Sequence, residues 1–254
     1  MSKQDKSFDN KVHTFKNNIY GSSKGKVREA ILMRDLGTYL EGKGQLSILD
    51  VGGGQGQVAL QLAQLGHKVT ISDISNEMLD KAREAAQVLG LSNVTFLHKP
   101  LQELESEQLG QFDLVLCHAV FEWLESPFEA FGNLKSLCIE AGTISLMFYN
   151  QVGQTLSNLV YGNFDYIRNG MQAKKVVKLN PQKALHPDTV LSWAKALNLT
   201  PITKSGVRCF HDYMRDIKMW QLELDGIIEM ELEYSQLEPY ASIGRYMHLL
   251  LKKD

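Results

Sequence analysis

Between Leu46 and Asn150 the chain alternates short apolar, β-branched runs with stretches whose apolar positions recur at helical spacing. A side-chain period of two that gives way to 3.6 and back again is the pattern of βαβ units feeding a parallel sheet. The run LSILDV (46–51) reads as a first strand. VALQLAQLG follows it as a helix with Val58, Leu62 and Leu65 on one face and Gly66 as the stop signal. HKVTISDIS (67–75) reads as the next strand, and Ser75 is placed to cap a helix carrying Met78, Leu79, Ala82 and Ala86. NVTFLHK, FDLVLCHAV and GTISLMFYN continue the alternation as three further strands.

Outside this stretch the pattern changes. Residues 1–45 are a polar arm followed by an amphipathic helix with Val27, Ile31, Leu32, Leu36 and Leu40 on one side, expected on the sheet edge or over the ligand cleft. Residues 151–185 hold turn signals at Asn-Gly and Asn-Pro and no sustained period, which reads as a cap or insertion after the fifth strand. Within 186–254, LSWAKALNL predicts a short helix, and SGVRCFHDY (205–213) and GRYMHLLLKK (244–253) predict two more strands. The expectation is one α/β domain of 254 residues made of these four segments: 1–45, 46–150, 151–185 and 186–254.

Composition narrows the class. With 44% hydrophobic and 22% charged residues, disorder, collagen and coiled coil are excluded. Three scattered cysteines, Cys117, Cys138 and Cys209, fit neither a disulfide framework nor a zinc site, so they read as buried fillers in a reducing compartment, and no metal is expected. The first 20 residues lack an apolar signal region and no window reaches the ~20 apolar residues of a membrane span, so a cytoplasmic protein without membrane contact is expected. The net charge of −2 hides an asymmetry: Arg168 to Lys218 holds ten Lys/Arg against three acids, a balance of +7, and an acidic run from Glu223 to Glu238 follows. Such segregation reads either as an anion-binding face backed by an acidic one or as two solvated helix faces.

Parallel sheets place ligands beyond the carboxyl ends of their strands. There the chain carries Asp50-Val51-Gly52-Gly53-Gly54-Gln55-Gly56, between a strand and a helix. Glycines allow a sharp turn and a close ligand. The spacing is not the Gly-x-Gly-x-x-Gly that seats a pyrophosphate, nor a P-loop. Asp73, at the end of the second strand, is placed to accept from the hydroxyls of a ribose, with a turn-capping role as the structural alternative. An adenosine-containing ligand without a diphosphate suits both features.

Asp-x-Gly-x-Gly-x-Gly followed by a strand-terminal acid resembles the class I S-adenosylmethionine-dependent methyltransferases from about Leu46 to Asn150. The resemblance implies a Rossmann-like, seven-stranded, mostly parallel sheet flanked by helices. It implies that Gly52, Gly53 and Gly54 make room for the methionine portion, that Asp73 binds the ribose and that the Leu101-Gln102 loop meets the adenine. NNIYGSSKGKVREAIL, LDVGGGQGQ, CHAVFEW, SLMFYN, NFDYIRNGM, GVRCFHDYMR and EPYASIGRYMH together resemble, more narrowly, the bacterial tRNA 5-carboxymethoxyuridine methyltransferases. That likeness implies O-methylation of a wobble-uridine carboxylate to its methyl ester, with the anticodon stem-loop of tRNA as partner and no obligate protein partner. Its cofactor contacts are Arg28, Gly52, Gly53, Asp73, Leu101, Gln102 and His118. The basic run Lys174, Lys175 and Lys178, thinner than in relatives, would meet tRNA.

A carboxylate is ionised at neutral pH and needs no general base. The reaction needs a positioned, dry site and donors that do not over-stabilise the ground state. His118, Tyr149, Tyr20 and Asn150 are neutral donors suited to that task, and Arg208, His211, Arg215 and Arg245 then serve as phosphate or ribose contacts at the rim. His118 has the alternative reading of a satisfied core histidine, and Phe121 and Trp123 read as core. Tyr161, Phe164 and Tyr166 suit stacking on a flipped base. Two other functions share the cofactor half: methylation of a small carboxylate or phenol, and a noncatalytic S-adenosylmethionine-binding module.

Overall fold

A computed structural model of the protein describes residues 22–171 and 183–254. Its sheet has seven strands: β1 (Ser47–Val51), β2 (Lys68–Asp73), β3 (Val94–His98), β4 (Phe112–His118), β5 (Cys138–Tyr149), β6 (Leu199–Val207) and β7 (Tyr246–Lys253), in the order β3-β2-β1-β4-β5-β7-β6. The first five pair in parallel, while β7 runs antiparallel between β5 and β6. The mostly parallel sheet expected from the alternating pattern is therefore present. The strand order reverses between β1 and β4, which opens the crevice at the carboxyl ends where the glycine loop sits.

Strand alternation divides the core in two. Leu49 and Val51 face a layer with Phe131, Leu134, Val190 and Ala194, whereas Ile48 faces Ile31, Leu36, Leu62 and Leu79 on the other side. The first layer is built by α4 (Pro127–Ser136) and α7 (Pro187–Ala196), the second by α1 (Ser23–Leu40), α2 (Gln57–Gln64) and α3 (Asn76–Val88). Each such side chain, once fully buried, contributes about 1.5–3 kcal/mol. Local signals agree with the elements: Ser22 and Ser75 accept from Gly25 N and Met78 N to cap α1 and α3, and Gly66 follows α2 at φ 95°. The three cysteines are free and buried, as their spacing suggests.

Two expectations need correction. The strand expected over 205–213 ends at Val207 and starts at Leu199. Pro201 disguises its beginning, but β6 is an edge strand, where a residue without an N–H is tolerated, and the register shifts between Pro201 and Thr203. Residues beyond Val207 turn away instead, through a 3₁₀ turn at His211–Tyr213. The segment after β5 also contains two helices the periodicity did not reveal, α5 (Gln151–Val160) and α6 (Phe164–Arg168). This excursion opens and closes at one point: Asn150 bridges Leu185, Gln151 N donates to Leu185 O, and Leu185 N donates to Tyr149 O.

The acidic run lies on α8 (Leu224–Tyr234) and its flanks, and α8 packs on α1. Its face is not uniformly solvated. Glu231 is fully buried and accepts from Cys209 N, Phe210 N and His211 N at 2.8, 2.8 and 3.0 Å, which anchors the turn after β6. Among the described residues no helix is long and apolar enough to cross a membrane.

Candidate active site

The glycine loop is held by protein rather than left open. Gly52 N and Gly53 N both donate to Ser72 O, Gly56 N donates to Gly53 O, and Gly54 N donates to Asp73 Oδ2 at 2.9 Å. These donors are consumed, so the loop is no phosphate cradle, in line with its spacing. A Cβ on Gly52 would lie 2.5 Å from Val120 Cγ2, and one on Gly53 would lie 2.7 Å from Asp50 Oδ2. At these two positions the glycines are thus required by packing against the protein as well as by any ligand, and Gly52 adopts φ 66°.

Asp73 is nearly buried at the end of β2, with Oδ2 on Gly54 N and Oδ1 on Ser75 N at 2.8 Å. It clamps the loop through the two backbone amides that its carboxylate accepts from. The loop after β3 is tied to the same corner, because Ser72 Oγ donates to Lys99 O. There Leu101 begins a short 3₁₀ turn and its side chain is buried in the core, while Gln102 is exposed. Asp50 lies behind the glycines, and burial together with the neighbouring Asp73 pushes it up to about 7.

A pocket beside the loop is lined by Arg28 and Leu32 of α1, Asp50, Gly52, Gly53 and His118. The amphipathic N-terminal helix thus covers the cleft. His118 ends β4 with Nε2 2.8 Å from Ser145 Oγ. Burial, then the charges of His248 and Arg28, depress its pKa well below the ordinary value, so the ring is neutral. Ala119 after it has φ 59°, a left-handed conformation that non-glycine residues seldom adopt. Glu122 follows, 1% exposed, with both carboxylate oxygens lacking a hydrogen-bond partner among the described residues. Burial raises it to about 7, against the pull first of the nearby backbone N–H groups of Glu122 and Tyr149 and then of Arg28.

Register carries the site across to the last strands. His118 pairs with Met147, Tyr149 with Tyr246, and Val207 with Tyr246, so the ends of β4, β5 and β6 and the start of β7 share one edge. Arg245 stacks over the Tyr149 ring at 5.0 Å and Arg208 over the Tyr246 ring at 5.3 Å. Arg208 Nη2 meets Asp212 Oδ2 at 2.9 Å, Arg245 Nε lies 3.9 Å from the same oxygen, and Lys24 adds a third cation. Burial alone would raise Asp212, but Arg208, His211, Lys24 and Arg245 hold it at about 2. Arg208 sits at φ 62° and its Nε is buried without a partner. Tyr149 is buried and pushed up to about 12, so it remains a phenol donor.

Several expected contacts take other roles. Asn150 is fully buried: Oδ1 accepts from Val152 N to cap α5, and Nδ2 donates to Ser242 O and Gly244 O, both at 2.9 Å. Every polar group it has is used, so it cannot serve as a donor to a substrate. His211 is also fully buried, between Ser23 Oγ at 2.8 Å and Asp212, and stacked on Trp220 at 4.4 Å. It supports the Asp212 cluster from within and does not reach a rim. Arg215, three residues after Asp212, is exposed. Phe121 is core, edge-to-face on Phe131. Tyr161 and Phe164 are exposed by 60% and 50%, and Tyr161 Oη donates to Asp212 O at 3.5 Å, which puts an aromatic rim beside the cations. Tyr20, Lys174, Lys175 and Lys178 lie outside the described residues. Sequence reasoning missed Lys24, Glu122, Asp212 and Tyr246 as site residues; only their nearness to the quoted motifs could have flagged them.

The comparisons with known proteins agree with this geometry. Residues 48–142 match the family model described as a methyltransferase domain. The tRNA 5-carboxymethoxyuridine methyltransferase of Escherichia coli strain K12 is 40% identical over 253 residues, 98% of this chain and 97% of that protein. The ubiquinone biosynthesis O-methyltransferase of Colwellia psychrerythraea is 27% identical over 64% of each chain. Among solved structures, the magnesium protoporphyrin IX methyltransferase of Synechocystis PCC 6803 with bound SAH superposes with a TM-score of 0.67 at 17% identity, covering 97% of this chain and 96% of that one. That likeness reflects the fold, whereas the match to the Escherichia coli enzyme runs through every segment of the site. The chain belongs to the tRNA 5-carboxymethoxyuridine methyltransferase family.

Proposed function

We propose that this protein methylates the carboxylate of 5-carboxymethoxyuridine at the wobble position of tRNA, with S-adenosylmethionine as donor, to give the methyl ester. The observation that carries this reading is the junction, along one sheet edge, of the Gly52–Gly56 and Asp73 corner with the cation-rich pocket of Lys24, Arg208 and Arg245 around Tyr149. Family membership supplies the acceptor. The residues present fit the donor: Asp73 would take the ribose hydroxyls, Leu101 and Gln102 would flank the adenine, and Arg28 with the buried acids Asp50 and Glu122 forms a donor and acceptor set suited to a zwitterionic amino-acid end. Glu122, buried near its own backbone N–H and that of Tyr149 but with no well-formed hydrogen bond among the described residues, has room for a polar partner.

When bound, S-adenosylmethionine supplies an electrophilic methyl group on a sulfonium. Transfer breaks the S–CH₃ bond and forms an O–CH₃ bond; sulfonium and carboxylate both become neutral and no proton moves. The protein therefore needs to orient and to dry the pair. Arg208 and Arg245 are already partnered by Asp212, so they steer the incoming carboxylate without gripping it as bare cations would. Tyr149, at the end of the strand beside His118, stands as a weaker donor. Tyr161 and Phe164 offer exposed rings for a base turned out of the anticodon loop, and Lys174, Lys175, Lys178 and Arg215 provide charge for the stem backbone.

The test is labelled methyl transfer to tRNA from cells lacking this gene. Label released by mild alkali and recovered on the wobble nucleoside is the expected result. Label that survives alkali would refute a carboxylate acceptor, and cofactor binding without any labelled tRNA would instead favour a noncatalytic binding module.

A further inference from the structure

Behind the pocket, one line of buried polar residues has no part in holding the cofactor loop or the cation cluster. Asp35 of α1, Ser145 of β5 and His248 of β7 are 2%, 0% and 0% exposed. Asp35 Oδ2 lies 2.7 Å from His248 Nδ1, His248 Nε2 lies 2.8 Å from Ser145 Oγ, and Ser145 Oγ lies 2.8 Å from His118 Nε2. At the far end Asp35 Oδ1 accepts from Arg34 Nε and Nη2 at 2.9 and 2.7 Å and from Gln236 Nε2 at 3.0 Å. The two imidazoles meet edge to face at 5.7 Å.

The chemistry of these groups ties the line together. A carboxylate only accepts, so His248 Nδ1 carries the proton directed at Asp35. Ser145 has one hydroxyl proton, so its Oγ donates to one of the two facing imidazole nitrogens and accepts from the other, and the state of His248 Nε2 dictates that of His118 Nε2. Burying such a string among Leu250, Met147 and Leu116 costs desolvation, and apolar side chains of the same size would stabilise the sheet as well or better. A role in orienting His118 accounts for its presence in a way that stability alone does not.

We propose that Asp35, His248 and Ser145 are positioning residues that hold His118 in a single tautomer and orientation, so that its Nδ1 meets the ligand in the adjacent pocket with one fixed hydrogen-bonding sense. This rests on the reading above that the pocket takes S-adenosylmethionine, whose amino-acid end and ribose carry both donors and acceptors. The ring is thereby kept from turning over, a support of the kind that sets imidazole orientation elsewhere.

Ser145→Ala severs the line at its midpoint while leaving the Asp35–His248 contact, and Ser145→Thr keeps the hydroxyl. Nitrogen NMR of the ligand-free protein reads the tautomer of His118, and calorimetry with S-adenosylmethionine reads the consequence. The wild type and Ser145→Thr should show one His118 tautomer. Ser145→Ala should show a mixture and bind S-adenosylmethionine about 5- to 10-fold more weakly, the worth of one oriented hydrogen bond, with KM for tRNA unchanged. A mixture of His118 tautomers in the wild type, or full cofactor affinity in Ser145→Ala, would overturn the proposal. If the wild type itself failed to bind S-adenosylmethionine, the functional reading would fall, and the tautomer in the ligand-free protein would still decide whether the line orients His118.

Discussion

Replacing Asp212 by Asn tests the charge balance on which acceptor binding is argued to depend. The carboxylate is the shared partner of Arg208 and Arg245, with Lys24 close by, and its side chain is 11% exposed. A carboxyl held at about 2 rather than the ordinary 3.8 contributes about 2 kcal/mol to folding at neutral pH, since each pH unit of difference is worth about 1.4 kcal/mol. The folded value is depressed, so this stability is complete above about pH 4 and is lost as the pH falls through 3 toward 2. Denaturant unfolding of wild type and Asp212→Asn should differ by about 2 kcal/mol at pH 7 and by roughly half of that at pH 3. The same variant should weaken methylation through kcat, because cations without a partner hold the acceptor carboxylate too tightly in the ground state. A stability gap below about 0.5 kcal/mol at pH 7, or a gap that does not narrow in acid, would refute the coupling of Asp212 to these cations.

Further substitutions probe the other parts of the site. Asp73→Ala should lower S-adenosylmethionine affinity while leaving tRNA affinity largely intact, and because Gly54 N and Ser75 N lose their acceptor it should also cost about 1–3 kcal/mol in urea melts; equal loss of both affinities would count against a ribose role. Asn150→Ala strips the α5 cap and leaves Ser242 O and Gly244 O unpaired, so a destabilisation of about 2 kcal/mol or more is expected, and a Tm equal to wild type would contradict its structural assignment. Lys174→Ala with Lys175→Ala should reduce the salt slope of tRNA binding by about two at most, whereas an unchanged slope would remove both from the footprint.

What the sequence made visible was local. Strand and helix alternation from β1 to β5, the Gly66 stop, the Ser75 cap and the Asp73 corner all depend on neighbours a few residues apart, and each is present as expected. Side-chain roles were legible only as chemistry and not as partners. Asn150 and His211 look like free donors in the sequence, yet in the fold their polar atoms are spent on backbone carbonyls, Ser23 and Asp212. The line from Asp35 to His118 joins residues 213, 103 and 27 positions apart, beyond any periodic signal. Pro201 hid the start of β6 because its cost depends on whether the strand is central or at an edge, a property of topology alone. Helix α5 escaped notice because Gly153, Thr155, Ser157 and Asn158 are weak helix formers that packing and the Asn150 cap hold in place.

The placement of β7 between β5 and β6 orders the assembly of the enzyme in time. Strands β1 to β5 can pair as soon as each is made, so the corner of the glycine loop and Asp73 needs nothing downstream of Tyr149 for its backbone pairing. β6 is synthesised some forty residues before β7, the one strand it pairs with among the described residues, and until residues 246–253 emerge it lacks that partner. The strands that frame the glycine loop can thus pair before the two that carry Arg208 and Tyr246 to the far side of the crevice.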